Sequence, residues 1–327
     1  MAPRAALAAL LSLSAIVLYA AACVPSESHV DCNFHGLSSP KSWAELSSQT
    51  EQLTAAWKAA LASTPKYPAG HFSGKGLVIT ATKLDMDNIP AILGTFHSEG
   101  LNLPAIEIWY SGEVSADIID TLSGTYRKLV IRNVANYASA ADLKSTITSQ
   151  GDHVFQAKPL AIIHSAFEEV LFMDADNVAI SNPAALFSSA KYRSAGALFW
   201  PDFWQTATRN PIWSVLGIEP QGWEQESGQI VVNKRTSWAA LNLAFFLAKD
   251  ATFQQMVNGD KEASVRLAFL ATKTPFFMVE TAVAVAGSET ETGFCGHTWF
   301  STIWRAPRCS STTNPSSTEP PSSRGKP

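Results

Sequence analysis

Apolar and polar positions fall in alternating blocks along this chain. "GLVITA" (Gly76 to Ala81), "AIEIWY" (Ala105 to Tyr110) and "KLVIR" (Lys128 to Arg132) are short, nearly continuous apolar runs. Runs of this length and β-branched content predict strands buried on both faces. Between them the period lengthens and predicts helices over Ile89 to Glu99, stopped by Gly100, and over Ala116 to Leu122. Upstream, Leu46, Leu53, Trp57 and Leu61 share one face of a helix. It opens on a capping box, Ser42-Trp43-Ala44-Glu45, and ends before Pro65 and Pro68. "KPLAIIHSAFEEV" (Lys158 to Val170) reads as a helix leading into a strand over Val170 to Met173, and Ile230 to Val232 reads as a later strand.

Apolar strands spaced by helices predict an α/β domain with a mostly parallel, Rossmann-like sheet flanked by helices. In such sheets ligands bind beyond the carboxyl ends of the strands. One run, Val170 to Met173, passes directly into Asp174-Ala175-Asp176. Carboxylates so close repel and are costly to desolvate. The pair therefore faces either a cation or open water. Mg²⁺ and Mn²⁺ take such oxygen ligands and keep sites for water and phosphate. The plainer reading is a turn that solvates a strand end.

The termini differ from the middle. Arg4 precedes an uncharged run from Ala5 to Ala22, long enough for a membrane anchor helix. Ala20-Ala21-Ala22 would also suit cleavage of a signal peptide. Either reading sends the rest into the secretory lumen. We expect the leader over residues 1–23, a stem and helix over 24–69, the main domain over 70–300, and a tail over 301–327. Ser310 to Pro327 is rich in Ser, Thr and Pro, a composition that predicts disorder.

Composition narrows the function classes. The chain has 327 residues, 46% hydrophobic and 16% charged, which is ordinary for a globular protein with an ample core. The net charge of −4, without a basic stripe, gives no attraction to nucleic acid. The four cysteines, Cys23, Cys32, Cys295 and Cys309, form no CxxC pair and argue against zinc. A lumenal address permits disulfides, Cys32 with Cys295 among the pairings. No N-x-[ST] site with an allowed middle residue occurs.

The segment "SAFEEVLFMDADNVAISNP" (Ser165 to Pro183) resembles the fungal α-mannosyltransferases of glycosyltransferase family 71. The likeness continues in "GALFWPDFW" (Gly196 to Trp204), "NPIW" (Asn210 to Trp213), "EQESGQIVVNKR" (Glu224 to Arg235), "NGDKEASVRLAF" (Asn258 to Phe269) and "GFCGHT" (Gly293 to Thr298). It runs from about Gly74 to Thr298. It implies a GT-A-like fold, a GDP-mannose donor, Mn²⁺ (or Mg²⁺), and transfer to an α-linked mannan or glycoprotein glycan with retention. It further implies a single-pass type II Golgi membrane protein, α-1,3-mannosyltransferase-like, working alone or in a mannosyltransferase complex.

On this resemblance Asp174 and Asp176 form the metal-binding DxD, with Asp176 the better contact for both metal and phosphates. His297, in "CGHT", is a further metal ligand of the kind such enzymes add late in the chain; its plain reading is a structural histidine. Glu226 is the first candidate to stabilise the oxocarbenium-like centre of retaining transfer, and Asp202 the second. Their plain readings are a polar turn before a strand and a helix N-cap. Gly228 allows close backbone approach to the ligand, and Gln229 is a further donor-sugar contact. Lys158 reaches a donor phosphate or else is solvated. The nucleotide base lies near Thr80 and Ala81. "GKG" (Gly74 to Gly76) precedes a strand and so is no Walker sequence. Asp260 is a helix cap or an acceptor contact. The resemblance stops after Thr298. A catalytically impaired lumenal subunit or glycan binder, and a UDP-sugar transferase on the same fold, are the alternatives.

Overall fold

The computed structural model describes residues 17–19, 40–98, 105–112, 114–126, 128–139, 143, 146–148, 151–153, 156–179, 181–203, 205–257, 265–290 and 293–300. A seven-stranded sheet forms its centre. In chain order its strands are β1 (Lys75–Ala81), β2 (Ala105–Tyr110), β3 (Leu129–Asn133), β4 (Glu169–Asp174), β5 (Ala197–Pro201), β6 (Gln225–Asn233) and β7 (Phe277–Met278). In space they run β3-β2-β1-β4-β6-β5-β7. All neighbours are parallel except β6, which is antiparallel to β4 and β5. The first three strands step one way from β1, and β4 lies on its other side. The order thus reverses between β1 and β4, and such a reversal opens a crevice at the carboxyl ends of the two strands.

Both faces are covered, which explains the unbroken apolar runs. Val78, Val170, Phe172, Phe199, Ile230 and Val232 pack on one side. There they meet helices α2 (Thr50–Ala62), α5 (Ala157–His164), α6 (Lys234–Lys249) and α7 (Arg266–Ala271). The alternate residues Leu77, Ile79, Ile106, Leu171, Met173, Leu198 and Val231 pack on the other side. Helices α3 (Ile89–Ser98) and α4 (Ala116–Thr125) cover that face through Ile89, Ile92, Leu93 and Leu122. Alternation of side chains along each strand sets this division.

The expected elements from Gly76 to Arg132 form within a few residues of their anticipated bounds. Leu46, Leu53 and Trp57 are buried, as one shared face requires. Three local expectations fail. The first helix, α1 (Pro40–Ser48), already contains Ser42, so the capping box does not start it. A turn at Gln49 then separates α1 from α2. Next, α5 ends at His164 rather than running to Val170. The Lys234 ammonium donates to the carbonyls of Ile163 and Ser165, and the Glu107 carboxylate accepts the Ala166 N–H, which satisfies the chain as it leaves the helix. Glu168 and Glu169 therefore lie in the connection and on β4, where they pair with Arg235 and Lys75 at the amino end of the sheet. Last, Glu226 to Gln229 is part of β6, not a turn before it.

Within the expected leader, Val17–Tyr19 is extended and pairs antiparallel with Val285–Gly287, so these three residues are not helical. A Val-Leu-Tyr segment has strand propensity as well as apolarity. The rest of the leader, Cys23, Cys32, Cys309, Asp260 and the tail lie outside the described residues. No helix of the described residues is long and apolar enough to cross a membrane.

Candidate active site

The acidic pair lies at the carboxyl end of β4, where the strand order reverses. Asp174 is the last residue of β4 and lies opposite Thr80 of β1. The chain then turns, with the Asn177 N–H donating to the Asp174 carbonyl at 3.0 Å. The turn separates the two carboxylates by environment. Asp174 continues the face of Val170 and Phe172, and its side chain is 31% exposed. Asp176 is exposed in the turn.

Lys158 is not a solvated residue. It sits in the first turn of α5, 4% exposed, with Nζ 3.1 Å from Asp174 Oδ1. The same ammonium donates to the Ser227 carbonyl at 2.9 Å and lies 5.0 Å from the centre of the Phe172 ring.

Opposite this turn, β6 is irregular. Leu198 pairs with Val231, yet Trp200, two residues on, pairs with Glu226. The strand therefore bulges between Glu226 and Val231. Bulges re-aim side chains and terminate pairing beside active sites. This one carries Glu226, Gly228 and Gln229. The Gly228 N–H donates to Glu226 Oε1 at 2.7 Å, and the Asn177 amide donates to the Gly228 carbonyl at 2.6 Å. The glycine is needed for space: a Cβ there would stand 2.7 Å from Asn177 Nδ2 and 2.8 Å from Glu226 Oε1. Gln229 pairs with Met173, next to Asp174.

Asp202 follows β5 and is 4% exposed. Its N–H donates to the Glu224 carbonyl and its Oδ1 accepts the Phe203 N–H, which places it one strand beyond Glu226. No helix starts here among the described residues, so the N-cap reading does not apply. Thr80 and Ala81 end β1, and Ala81 pairs with Tyr110 of β2. From there a cavity of about 320 Å³ opens at the ends of β2 and β3, lined by Tyr110, Arg132, Asn133 and Tyr137 among others. His297 falls on strand β9 (Gly293–Phe300), which pairs with β8 (Ala284–Thr290). Pairing passes from Gly296 to Thr298 and skips it, and its side chain lies outside the described residues, as does that of Cys295.

The structure thus gathers Lys158, Asp174, Asp176, Glu226, Gly228 and Gln229 around one turn and one bulge, with Thr80 beside them and Asp202 one strand away. Sequence reasoning missed the Ser227 carbonyl and the role of Asn177. A backbone carbonyl has no signature in the letters. The cavity residues Arg132 and Asn133 were open to the same carboxyl-end rule that picked out Asp174.

A family model described as "Mannosyltransferase putative" matches residues 74–224 and 218–302, more than half of the chain. The chain belongs to this mannosyltransferase family. The chain is similar to fungal mannosyltransferases. The α-1,2-mannosyltransferase MNN24 of Candida albicans is 40% identical over 65 residues, 20% of this chain and 9% of the relative. The α-1,2-mannosyltransferase MNN2 of Saccharomyces cerevisiae is 25% identical over 276 residues, 70% of this chain and 45% of the relative. The chain therefore spans less than half the length of either. Among solved structures, the galactosyltransferase LgtC overlaps 62% of this chain and 71% of its own at 10% identity and a TM-score of 0.45. The mannosyltransferase Ktr4p from S. cerevisiae overlaps 75% of this chain and 80% of its own at 11% identity and a TM-score of 0.40. Overlaps this loose carry no functional weight.

Among the described residues no group of three or more His, Cys, Asp or Glu could hold a metal ion. A buried zinc-like cage is thus not what this turn offers. The donor set fits the other mode, in which Mg²⁺ or Mn²⁺ takes one or two carboxylates and fills its shell with water and substrate phosphate. Asp176, exposed in the turn, is the carboxylate there that such an ion could reach.

Proposed function

We propose that this chain is a metal-dependent, retaining α-mannosyltransferase with a GT-A-like fold, moving mannose from GDP-mannose to an α-mannoside acceptor. One observation carries the reading: the acidic turn lies at the strand-order reversal and directly opposite the Glu226 bulge. Family membership supports mannose as the transferred sugar. The named relatives support an α-1,2 linkage rather than the α-1,3 type that the sequence motifs suggested. A Golgi address, a single-pass anchor and a mannan or glycoprotein glycan acceptor belong to the same proposal.

Asp176, with Asp174 beside it, would hold Mn²⁺ or Mg²⁺. Bound there, the cation would offset the negative charge that grows on the diphosphate leaving group. The chain's own residues do the rest. Thr80 and Ala81 receive the nucleoside, which extends toward the cavity at Tyr110 and Arg132. Glu226, held by the Gly228 N–H, supplies negative charge near the anomeric carbon as the sugar bond loosens. Asp202 is the second candidate for that role. The buried Lys158 ammonium closes the inner side of the turn beneath the half-buried Asp174.

The test is turnover of the full chain with Mn²⁺ and a panel of GDP- and UDP-sugars, against Asp176→Ala. GDP-mannose should be consumed in a metal-dependent way, and the variant should lose at least about 100-fold of that rate. Its unfolding transition should stay within about 1 kcal/mol of wild type, because the residue is exposed. An undiminished rate in the variant would refute the metal assignment, and preference for a UDP-sugar would refute the donor.

A further inference from the structure

Lys158 is poorly explained by its own helix. A cation in the first turn opposes the helix macrodipole, and a buried ammonium is costly unless its charge is matched. Its compensation comes from two other elements. Nζ is 3.1 Å from Asp174 Oδ1, 3.2 Å from Asp174 Oδ2 and 2.9 Å from the Ser227 carbonyl. An ammonium has three N–H donors. Two hydrogen bonds, to Asp174 Oδ2 and the Ser227 carbonyl, and the ion pair with Asp174 Oδ1 hold it in place, so a donor phosphate would compete with that carboxylate for it.

The Ser227 carbonyl belongs to the bulge, where the regular ladder between β5 and β6 is interrupted. The next carbonyl, that of Gly228, takes the Asn177 amide at 2.6 Å. Two consecutive carbonyls of the bulge are thus tied to the two ends of the acidic turn. One tie runs through Lys158 to Asp174, the other directly to Asn177. Glu226 is fixed to the same bulge through the Gly228 N–H.

We propose that Lys158 is a positioning residue that fixes the Glu226 bulge at a set distance from the acidic turn. In this arrangement Asp174 serves as the anchor of the lock, and Asp176 is the carboxylate that carries a cation. The donor diphosphate and the transferred sugar are then held by two segments indexed to each other by one buried ammonium. This inference rests on the transferase reading above. It replaces the expectation that Lys158 binds a phosphate.

A double-mutant cycle on the full chain tests it, with Lys158→Met, Asp174→Asn and the pair. The readouts are kcat and KM for the donor, GDP affinity by calorimetry, and thermal unfolding. Displacement of the bulge by about 1 Å should lower kcat about 100-fold in Lys158→Met. GDP affinity should stay within about threefold, since no phosphate contact is lost. The double variant should lose no more than the worse single variant. Additive losses would overturn the inference, as would a tenfold weaker GDP affinity with kcat retained, which marks a direct phosphate contact. Should Lys158→Met not fold, Lys158→Arg takes its place in the cycle: lowered kcat with GDP affinity kept and non-additive losses support the lock, and additive losses or an undiminished kcat overturn it. A wild-type chain that neither binds GDP nor turns over any donor overturns the transferase reading and this inference together. A wild type that turns over, beside additive variants, overturns this inference alone.

Discussion

Gly228 shows how one missing Cβ can assemble a site. Its φ is not in the left-handed region, so conformational freedom is not the reason for it. Space is the reason, because Asn177 and Glu226 both approach to where a methyl group would stand. Gly228→Ala should therefore push Glu226 and Asn177 off the bulge. We expect at least a tenfold loss of kcat with an unfolding transition within about 1 kcal/mol of wild type, because the atoms that must move are the ends of two flexible side chains. Kinetics and unfolding measured on the same preparation check this. An unchanged kcat would mean that the two side chains yield without consequence, and that the bulge is not held as described. The motif reading marked this glycine for close approach of a ligand. The structure shows close approach of protein side chains, which the sequence had no means to place.

At the scale of elements, β1 and the connection into β4 are fitted to each other by glycines. Gly74 adopts φ +69°, and its carbonyl accepts the N–H groups of both Glu168 and Glu169. A Cβ at Gly76 would stand 2.1 Å from the Phe167 ring. Gly76→Ala must therefore expel that ring from its place against β1. The cost should be about 1–3 kcal/mol or more, seen as a lowered denaturation midpoint, and a variant as stable as wild type would contradict the packing. "GKG" leads into β1, the placement before a strand that its sequence suggested, and these contacts give its purpose. The same neighbourhood explains why α5 stops early. Its periodicity continues past His164, but Lys234 and Glu107, 71 and 59 residues away from their partners, take the backbone groups there. Local pattern cannot register partners so distant in sequence.

Across the whole molecule, the sheet buries charges well away from the acidic turn. Glu107 accepts from Trp109, from Arg132 in a two-pronged pair, and from the Ala166 N–H. Lys234 is fully buried, with its ammonium 3.7 Å from the centre of the Phe72 ring. Burial pulls its pKa down from 10.5 to about 7, while the Glu107 charge opposes the shift. Below pH 7 the ammonium is charged in both folded and unfolded chains, and the cost of burying it is carried in full. Between pH 7 and 10.5 the unfolded chain holds a proton that the folded chain has released, so stability rises with pH. Comparison with Lys234→Met isolates this group. The wild type should gain on the variant by up to about 1.4 kcal/mol per pH unit across that window. A difference that stays flat from pH 7 to 10 would contradict the burial of the charge.

The sequence by itself determined the layered α/β class, the strands β1 to β4, and the acidic pair at a strand end. These follow from periodicity and from one rule about where parallel sheets bind ligands, both of which are local. The ordered motifs added the family. The tertiary structure decided the rest. It reversed the strand order at β1 and β4, bulged β6 where a turn was expected, and set Lys158 on Asp174 and Ser227 rather than in solvent. Each of those depends on contacts between residues far apart in the chain. Register, bulges and buried ion pairs are settled by which distant groups come within hydrogen-bonding distance, and no local pattern of apolar and polar residues encodes that distance.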